Sequence, residues 1–240
     1  MAVRGARSAF EHFDRQFGLV KRAGLVYTAR MSNGIRVYTG GSTMCNGYLI
    51  EGADGYVAID APAGFAAWVK QQMPDRARLT HLLLTHQHFD HVEDAAQLKA
   101  DTGCLIHAHS PYDRRLTLED FARLDWGLKL NVAPYRVDDV MGDQRSHADW
   151  GGLKWQIIPL PGHSPDSLVY RLDERQTLFT GDVLFAGSVG RTDFPGGSQR
   201  SLLNGIEEKL EGLDPQLSIL SGHGPATTLQ EELLNNPWLC

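Results

Sequence analysis

The sequence predicts an α/β protein of the αββα type, in which two β-sheets pack face to face between outer layers of helices. Two features indicate this architecture: short apolar β segments recur in both halves of the chain, and helical segments lie between them. A sheet can bury both of its faces when a second sheet covers one and helices cover the other. With 240 residues and 42% hydrophobic content, we expect residues 1–240 to form one such domain.

The first half opens with a predicted hairpin. Residues 47–51 and 56–60 are β segments that flank a turn over residues 53–55. Further strands are predicted at 79–84 and 105–106. Helical segments are predicted at 65–73 and 92–101.

The second half repeats this alternation. Its predicted strands are 153–158, 168–172, 177–180 and 217–220. Between the last two, residues 201–213 carry apolar side chains three and four positions apart, which predicts an amphipathic helix. Thr228, followed three residues later by Glu231, forms the capping-box pattern that begins a final short helix.

Two segments have a helical pattern without a clear place in the fold. Residues 111–131 carry an apolar stripe that is typical of a helix packed on the core, but the segment lies between two regions with candidate ligands and is also a candidate lid. Residues 10–26 are amphipathic and would pack on the outside or between subunits. The sequence leaves the oligomeric state open.

The charge of the chain excludes several classes of partner. A net charge of −6 and a pI near 5.9 argue against a broad basic surface for nucleic acid or anionic lipid. Charged residues interrupt the N-terminal 24 residues, and no apolar stretch approaches transmembrane length. We therefore expect a cytoplasmic protein that acts on a small molecule.

The cysteines do not form a metal-binding or redox motif in the sequence. Cys45, Cys104 and Cys240 lie far apart and none belongs to a CxxC pair. We predict buried or incidental thiols.

The strongest functional signal is a cluster of metal-binding residue types directly after the predicted strand 79–84. Three histidines and one aspartate fall within six positions, as His86, His88, Asp90 and His91. Imidazole and carboxylate are ligands of zinc and iron, and binding groups gather where strands of α/β sheets end.

Three further candidates lie far along the chain. His163, Asp182 and His223 each follow a predicted strand and stand beside a glycine, which allows the backbone to turn sharply. We expect all seven side chains to meet at one centre. By contrast, His107 and His109 lie on one strand face with no further partner, and we predict no metal binding there or at His12, His81 and His147.

The chain resembles the metallo-β-lactamase-fold hydrolases, whose HxHxDH signature is matched by residues 86–91. The resemblance implies the metallo-β-lactamase fold and two metal ions. It implies a first site made by His86, His88 and His163. It implies a second site made by Asp90, His91 and His223, with Asp182 bridging the two ions. Asp60 falls where the family has an aspartate that supports the metal-binding loop.

Within this family, residues 181–197 and 222–225 are similar to the glyoxalase II-like branch. That resemblance implies hydrolysis of a small thioester or ester, such as hydroxyacylglutathione. Divalent ions lower the pKa of bound water to roughly 7 and supply hydroxide at neutral pH, and Asp90 is placed to orient it or to pass on a proton. We expect two divalent ions, with zinc favoured over iron or manganese. Since two carboxylates offset only part of their charge, the centre would attract anions.

Two other reactions fit the same motifs. A persulfide dioxygenase would share the fold, the HxHxDH signature and a segment like 191–194, with a single Fe(II) held by His86, His163 and Asp182. A lactonase is closer to the hydrolase prediction. A binding module without activity is disfavoured because the chain lacks none of the ligands. Arg191 and Asp193 either contact substrate or form an ion pair that fixes their glycine-rich loop.

Overall fold

The first sheet runs in chain order from one edge to the other in the computed structural model, which describes residues 21–23, 26–74 and 77–239. Strands β1 to β5 are paired antiparallel, and β5 to β8 are paired parallel. These strands are β1 (Lys21–Ala23), β2 (Val26–Arg30), β3 (Arg36–Gly40), β4 (Cys45–Gly52), β5 (Gly55–Ile59), β6 (Leu79–Leu83), β7 (Leu105–Ala108) and β8 (Asp139–Val140).

The second sheet has the strand order β16-β15-β12-β11-β10-β9. Its strands are β9 (His147–Trp150), β10 (Leu153–Pro159), β11 (Leu168–Leu172), β12 (Thr177–Gly181), β15 (Ser218–Ser221) and β16 (Thr227–Thr228). β11 is antiparallel to both β10 and β12, and β15 is parallel to β12. The carboxyl ends of β10, β12 and β15 therefore lie on the same side of the sheet. A small hairpin of β13 (Leu184–Phe185) and β14 (Ser188–Val189) follows β12.

The helices form the outer layers. They are α1 (Phe65–Gln72), α2 (Phe89–Val92), α3 (Ala95–Thr102), α4 (Arg114–Thr117), α5 (Glu119–Asp125), α6 (Gln199–Leu210) and α7 (Leu229–Asn235). A 3₁₀ turn, Asp173–Arg175, follows β11. None of the helices in the described part of the chain combines the length and the apolar character needed to span a bilayer.

Three apolar clusters show why the layers stack in this way. Alternate residues of one strand point to opposite faces of a sheet, so Val57 and Ile59 of β5 enter the cluster between the sheets, whereas Ala58 packs with Phe65 and Leu98 under the helices. The cluster between the sheets also receives large buried rings from the second sheet, and a third cluster lies under α6 and α7. The predicted αββα architecture is confirmed.

Several helix boundaries differ from the predicted ones for identifiable reasons. Helix α6 begins at Gln199 rather than 201 because the Ser198 hydroxyl accepts a hydrogen bond from the Ser201 backbone N–H and caps it there. The predicted helix over 92–101 corresponds to α3, which begins at Ala95, and Val92 is the last residue of the separate short helix α2. The capping box is confirmed, since the Thr228 hydroxyl accepts a hydrogen bond from the Glu231 N–H at 3.2 Å.

The stripe at 111–131 is not one helix. Leu118 adopts a left-handed backbone conformation with φ of 54°, which ends α4 and separates it from α5. Most of the amphipathic segment 10–26 lies outside the described residues, and the part that is described forms β1 and the start of β2.

Candidate metal centre

Three of the predicted ligands form a compact group of buried histidines. His86 and His88 lie in the loop between β6 and α2, and His163 lies in the loop between β10 and β11. One ring nitrogen from each lies within 4.8 Å of the others, and Nε2 of His163 is 2.9 Å from Nδ1 of His88. These three side chains can therefore contribute to one coordination sphere.

The other four predicted ligands adjoin this group. Asp182 follows β12 and His223 follows β15, while Asp90 and His91 lie in α2. Nε2 of His223 is 3.3 Å from Oδ2 of Asp90 and 3.5 Å from Oδ2 of Asp182. Nε2 of His91 is 3.3 Å from Oδ1 of Asp182. The structure thus brings all seven side chains together where the carboxyl ends of strands from both sheets meet.

The close approach of the ligand-bearing loops explains why position 222 must be a glycine. A Cβ atom on Gly222 would lie 2.3 Å from Oδ1 of Asp182 and 2.5 Å from Cε1 of His91. Any larger residue would displace two predicted ligands. The sequence-based argument that glycine permits a sharp turn applies at other glycines beside the ligands, including Gly181, where φ is 49°.

Hydrogen bonds at the far side of three rings aim their free nitrogens at the centre. Asp60 accepts a hydrogen bond from His91 at 2.7 Å and also binds the Thr85 backbone and hydroxyl at 2.8 and 2.7 Å. Nδ1 of His86 is 3.1 Å from the Thr85 hydroxyl, and Nδ1 of His163 is 2.7 Å from the carbonyl oxygen of Arg191. In each ring Nε2 therefore faces the other ligands, and Asp60 lies where the sequence predicted a supporting role.

Unpartnered buried atoms show that the donor set suits a metal. Nε2 of His86, Nε2 of His91 and Oδ1 of Asp182 are buried without a hydrogen-bond partner, and the 3.3 Å approach of the last two lacks hydrogen-bond geometry. Each buried polar atom without a partner costs about 1–3 kcal/mol. A divalent cation between them would supply the missing interactions.

The protonation states of the predicted ligands differ across the centre. Burial, reinforced by neighbouring imidazoles, lowers the pKa of His86 and lowers that of His88 to about 3, so both rings are neutral at neutral pH. Burial opposes charge on Asp182, but His223 and His91 outweigh it and hold its pKa well below the usual value. Burial likewise opposes charge on His91 and His223, yet the acidic groups around each ring raise the pKa of both. Neutral imidazoles and ionised carboxylates are the metal-binding forms, and a cation would displace the protons from His91 and His223.

Comparison with known proteins identifies the family. The family model described as the metallo-beta-lactamase superfamily matches residues 40–223, which include all seven predicted ligands. The chain belongs to the metallo-β-lactamase superfamily. Members of this superfamily bind divalent metal ions, and the His and Asp groups of this chain are suitable donor sets.

Individual members of the superfamily match most of the chain. The hydroxyacylglutathione hydrolase GloC of Haemophilus influenzae is 37% identical over 185 residues, or 76% of this chain and 86% of GloC. Two crystal structures match the fold. TTHA1623 in a di-iron-bound form has a TM-score of 0.73 at 34% identity and covers 84% of this chain and 98% of its own. BLEG-1 B3 metallo-beta-lactamase has a TM-score of 0.77 at 27% identity, and the match covers 85% of this chain and 99% of the BLEG-1 chain.

A cavity of about 380 Å³ opens beside the ligands of this superfamily member. Apolar side chains from four parts of the chain form most of its wall. They are Leu118, Phe121, Trp126, Phe185, Val189, Phe194 and Phe89. The first three belong to the segment 111–131, so the candidate lid borders the cavity. The aromatic wall is a feature that the sequence analysis did not identify, because it assembles from distant loops.

Arg191 and Asp193 form the ion pair considered from the sequence. Two guanidinium nitrogens of Arg191 lie 2.7 and 2.6 Å from the Asp193 carboxylate oxygens. The Arg191 guanidinium also lies over the Phe194 ring, 4.1 Å from its centroid, and Arg191 lines the cavity. The ion pair therefore fixes the position of the Arg191 guanidinium at the rim of the cavity, and Asp193 offsets its charge.

The remaining histidines behave differently. His107 contacts His81 and Asp139, and His109 contacts Ser110 and Asp143. His147 is exposed on β9, and His12 lies outside the described residues. His107 lies on β7 and His109 lies in the loop after it. Neither ring has a buried nitrogen without a partner, and neither belongs to a group of possible metal ligands among the described residues.

Sequence reasoning missed one sulfur atom at the centre. Cys45 is buried, as predicted for an ordinary thiol, and so is Cys104, while Cys240 lies outside the described residues. However, Sγ of Cys45 lies within 4.8 Å of ligand atoms of Asp90, His91 and His223. Nothing in the local sequence signals this proximity, since Cys45 is separated by over forty residues from Asp90.

Proposed function

We propose that the chain is a metal-dependent hydrolase of small thioesters or related esters, working with two divalent metal ions. The observation that carries this proposal is the convergence of seven donor side chains beside an apolar cavity. The 37% identity to the hydroxyacylglutathione hydrolase GloC supports a thioester as the substrate.

In this proposal, His86, His88 and His163 hold one ion. Asp90, His91 and His223 hold the other. Asp182 is suited to bridge them because its two carboxylate oxygens face different histidines: Oδ1 is 3.3 Å from His91 and Oδ2 is 3.6 Å from His163. Zinc suits imidazole and carboxylate donors, and the di-iron form of TTHA1623 supports iron as the other candidate.

When bound, such ions lower the pKa of water to roughly 7 and polarise a carbonyl group. The chain supplies the acid–base group beside them. Burial opposes ionisation of Asp90, but His91 and His223 lower its pKa, so the carboxylate is ionised at neutral pH. Asp90 also lines the cavity, where it can accept a hydrogen bond from the attacking water and pass a proton to the leaving thiol.

The cavity indicates the shape of the substrate. Its aromatic wall suits the apolar part of a small thioester, and the Arg191 guanidinium at its rim can donate hydrogen bonds to a carboxylate on the leaving thiol. We therefore favour hydroxyacyl thioesters of an anionic thiol such as glutathione over neutral esters.

A substrate panel with defined metal content tests the proposal. The protein is stripped of metal, reloaded separately with zinc, iron or manganese, and assayed with a hydroxyacyl thioester of glutathione, a matched neutral thioester, an oxygen ester and a lactone. We expect metal-dependent hydrolysis that is fastest with the anionic thioester. Oxygen uptake with glutathione persulfide by the iron-loaded protein, with no hydrolysis of any panel member, would overturn the hydrolase proposal in favour of a dioxygenase.

A further inference from the structure

We propose that the thiolate of Cys45 is an additional protein ligand of the second metal ion, the one assigned to Asp90, His91 and His223. This inference rests on the two-metal centre of the proposed function but not on the proposed substrate. Its basis is the position of a buried sulfur atom among three predicted ligands.

The start of β4 is fixed against the loop that carries His223. The Asn46 backbone N–H donates to the carbonyl oxygen of Gly222 at 2.8 Å. The Asn46 side-chain amide donates to the carbonyl oxygens of Ser221 and Gly224 at 3.0 and 3.1 Å. Because these hydrogen bonds enclose the His223 loop on both sides, the adjacent Cys45 is held at the centre by the fold and not by a mobile segment.

The spacing matches a coordination sphere. Sγ of Cys45 and one ligand atom each of Asp90, His91 and His223 lie within 4.8 Å of one another. Atoms bound to one zinc ion at about 2.0–2.3 Å lie about 3.3–3.8 Å apart in a tetrahedral site. An inward shift of each side chain by about 1 Å or less would therefore place all four atoms on one ion.

The neighbouring ring provides independent support. His91 is fully buried, and its Nε2 atom has no hydrogen-bond partner while Asp60 holds the opposite side of the ring. The thiol of Cys45 has only a long contact of 3.6 Å with the Asn46 carbonyl oxygen among its hydrogen bonds. A cation between Sγ and Nε2 would satisfy both atoms.

A thiolate would change the properties of the centre. It adds one negative charge to those of Asp90 and Asp182, and it is a soft ligand that favours zinc, iron and cadmium over manganese. The second site should therefore discriminate strongly against manganese. Cys104 provides a matched control because it is also buried but packs in the outer core with Leu98 and Ile106.

Cobalt substitution tests the proposal with a readout that does not depend on activity. Metal-free wild type, Cys45→Ser and Cys104→Ser are loaded with excess Co(II), and near-ultraviolet absorption is recorded. We expect a thiolate-to-cobalt charge-transfer band in wild type and Cys104→Ser, its loss in Cys45→Ser, and a second-metal dissociation constant about tenfold higher or more in Cys45→Ser for zinc but not for manganese.

The outcomes separate the two proposals. Two bound cobalt ions with no charge-transfer band in wild type would overturn the Cys45 assignment and leave the hydrolase proposal standing. Failure of wild type to bind any of the metals would overturn both. If Cys45→Ser does not fold, the double variant Cys104→Ser/Cys240→Ser decides: a band that persists there comes from Cys45, and a band that disappears does not.

Discussion

Two histidine clusters lie close to the first sheet, and they differ in how their ring nitrogens are satisfied. At the metal centre, Nε2 of His86 and Nε2 of His91 are buried without partners. The other cluster is formed by His81 on β6 and His107 on β7. His107 contacts His81 at 2.9 Å through one ring nitrogen and Asp139 at 3.2 Å through the other. A satisfied ring stabilises packing, whereas a buried nitrogen without a partner is available to a metal. Histidine density alone does not distinguish the two cases.

The largest contrast is expected between Asp182→Ala and His109→Ala. Asp182 faces both groups of ligands, whereas both nitrogens of His109 contact neighbouring side chains away from the centre. We expect Asp182→Ala to lose at least one metal ion and to reduce turnover by at least about a hundredfold, with His109→Ala nearly unchanged. Metal analysis and kinetics on both variants check this. Equal losses from the two would contradict the assignment.

An intermediate effect is expected from Asp60→Asn. Asn retains the left-handed backbone conformation of this position, where φ is 55°, and one acceptor for the Thr85 N–H, but it removes the carboxylate that orients His91. We expect metal affinity to fall by about 10–100-fold. Competition with a chromophoric chelator measures it.

The matched control is Asp138→Asn, which removes a carboxylate that binds Lys99 and the Ile106 N–H away from the centre. Metal affinity should stay at the wild-type value in this control. A similar loss in both variants would mean that general destabilisation, and not ring orientation, accounts for the effect of Asp60→Asn.

The smallest effect is expected at the cluster of His81 and His107, and it concerns the free energy of unfolding. Burial, and next the neighbouring His81, lower the pKa of His107 to about 4. The unfolded chain, with an ordinary pKa near 6.5, takes up this proton first as pH falls, so the ring contributes stability above about pH 6.5 that is lost towards about pH 4. The folded protein therefore becomes less stable in acid through this group.

His107→Gln should remove that dependence. The difference in free energy of unfolding between wild type and variant should shrink by about 1–2 kcal/mol from about pH 7.5 to about pH 5. Urea denaturation with a chelator present isolates the effect from metal release. His147→Gln, at an exposed ring, serves as the control, and an unchanged difference for His107→Gln would show that His107 titrates normally in the folded state.

Much of the fold was readable from the sequence because it depends on local patterns. Apolar segments near β4, β5, β6, β10, β11, β12 and β15 predicted strands close to their observed positions, and the Thr228 cap was found from its spacing. Leu118 could not be predicted to break the stripe at 111–131, since nothing disfavours helix at leucine and only tertiary packing holds its left-handed backbone. The extent of the domain, the native metal and the cytoplasmic location stay predictions.

The sequence by itself determined which residues are candidate metal ligands, because residues 86–91 concentrate ligand types and each later candidate follows a strand beside glycine. Only the tertiary structure decided which nitrogens remain free, that Gly222 must lack a side chain, and that Cys45 lies among the ligands. The physical reason is that hydrogen-bond satisfaction and close approach depend on residues far apart in the chain, whose distances are set by how the two sheets pack.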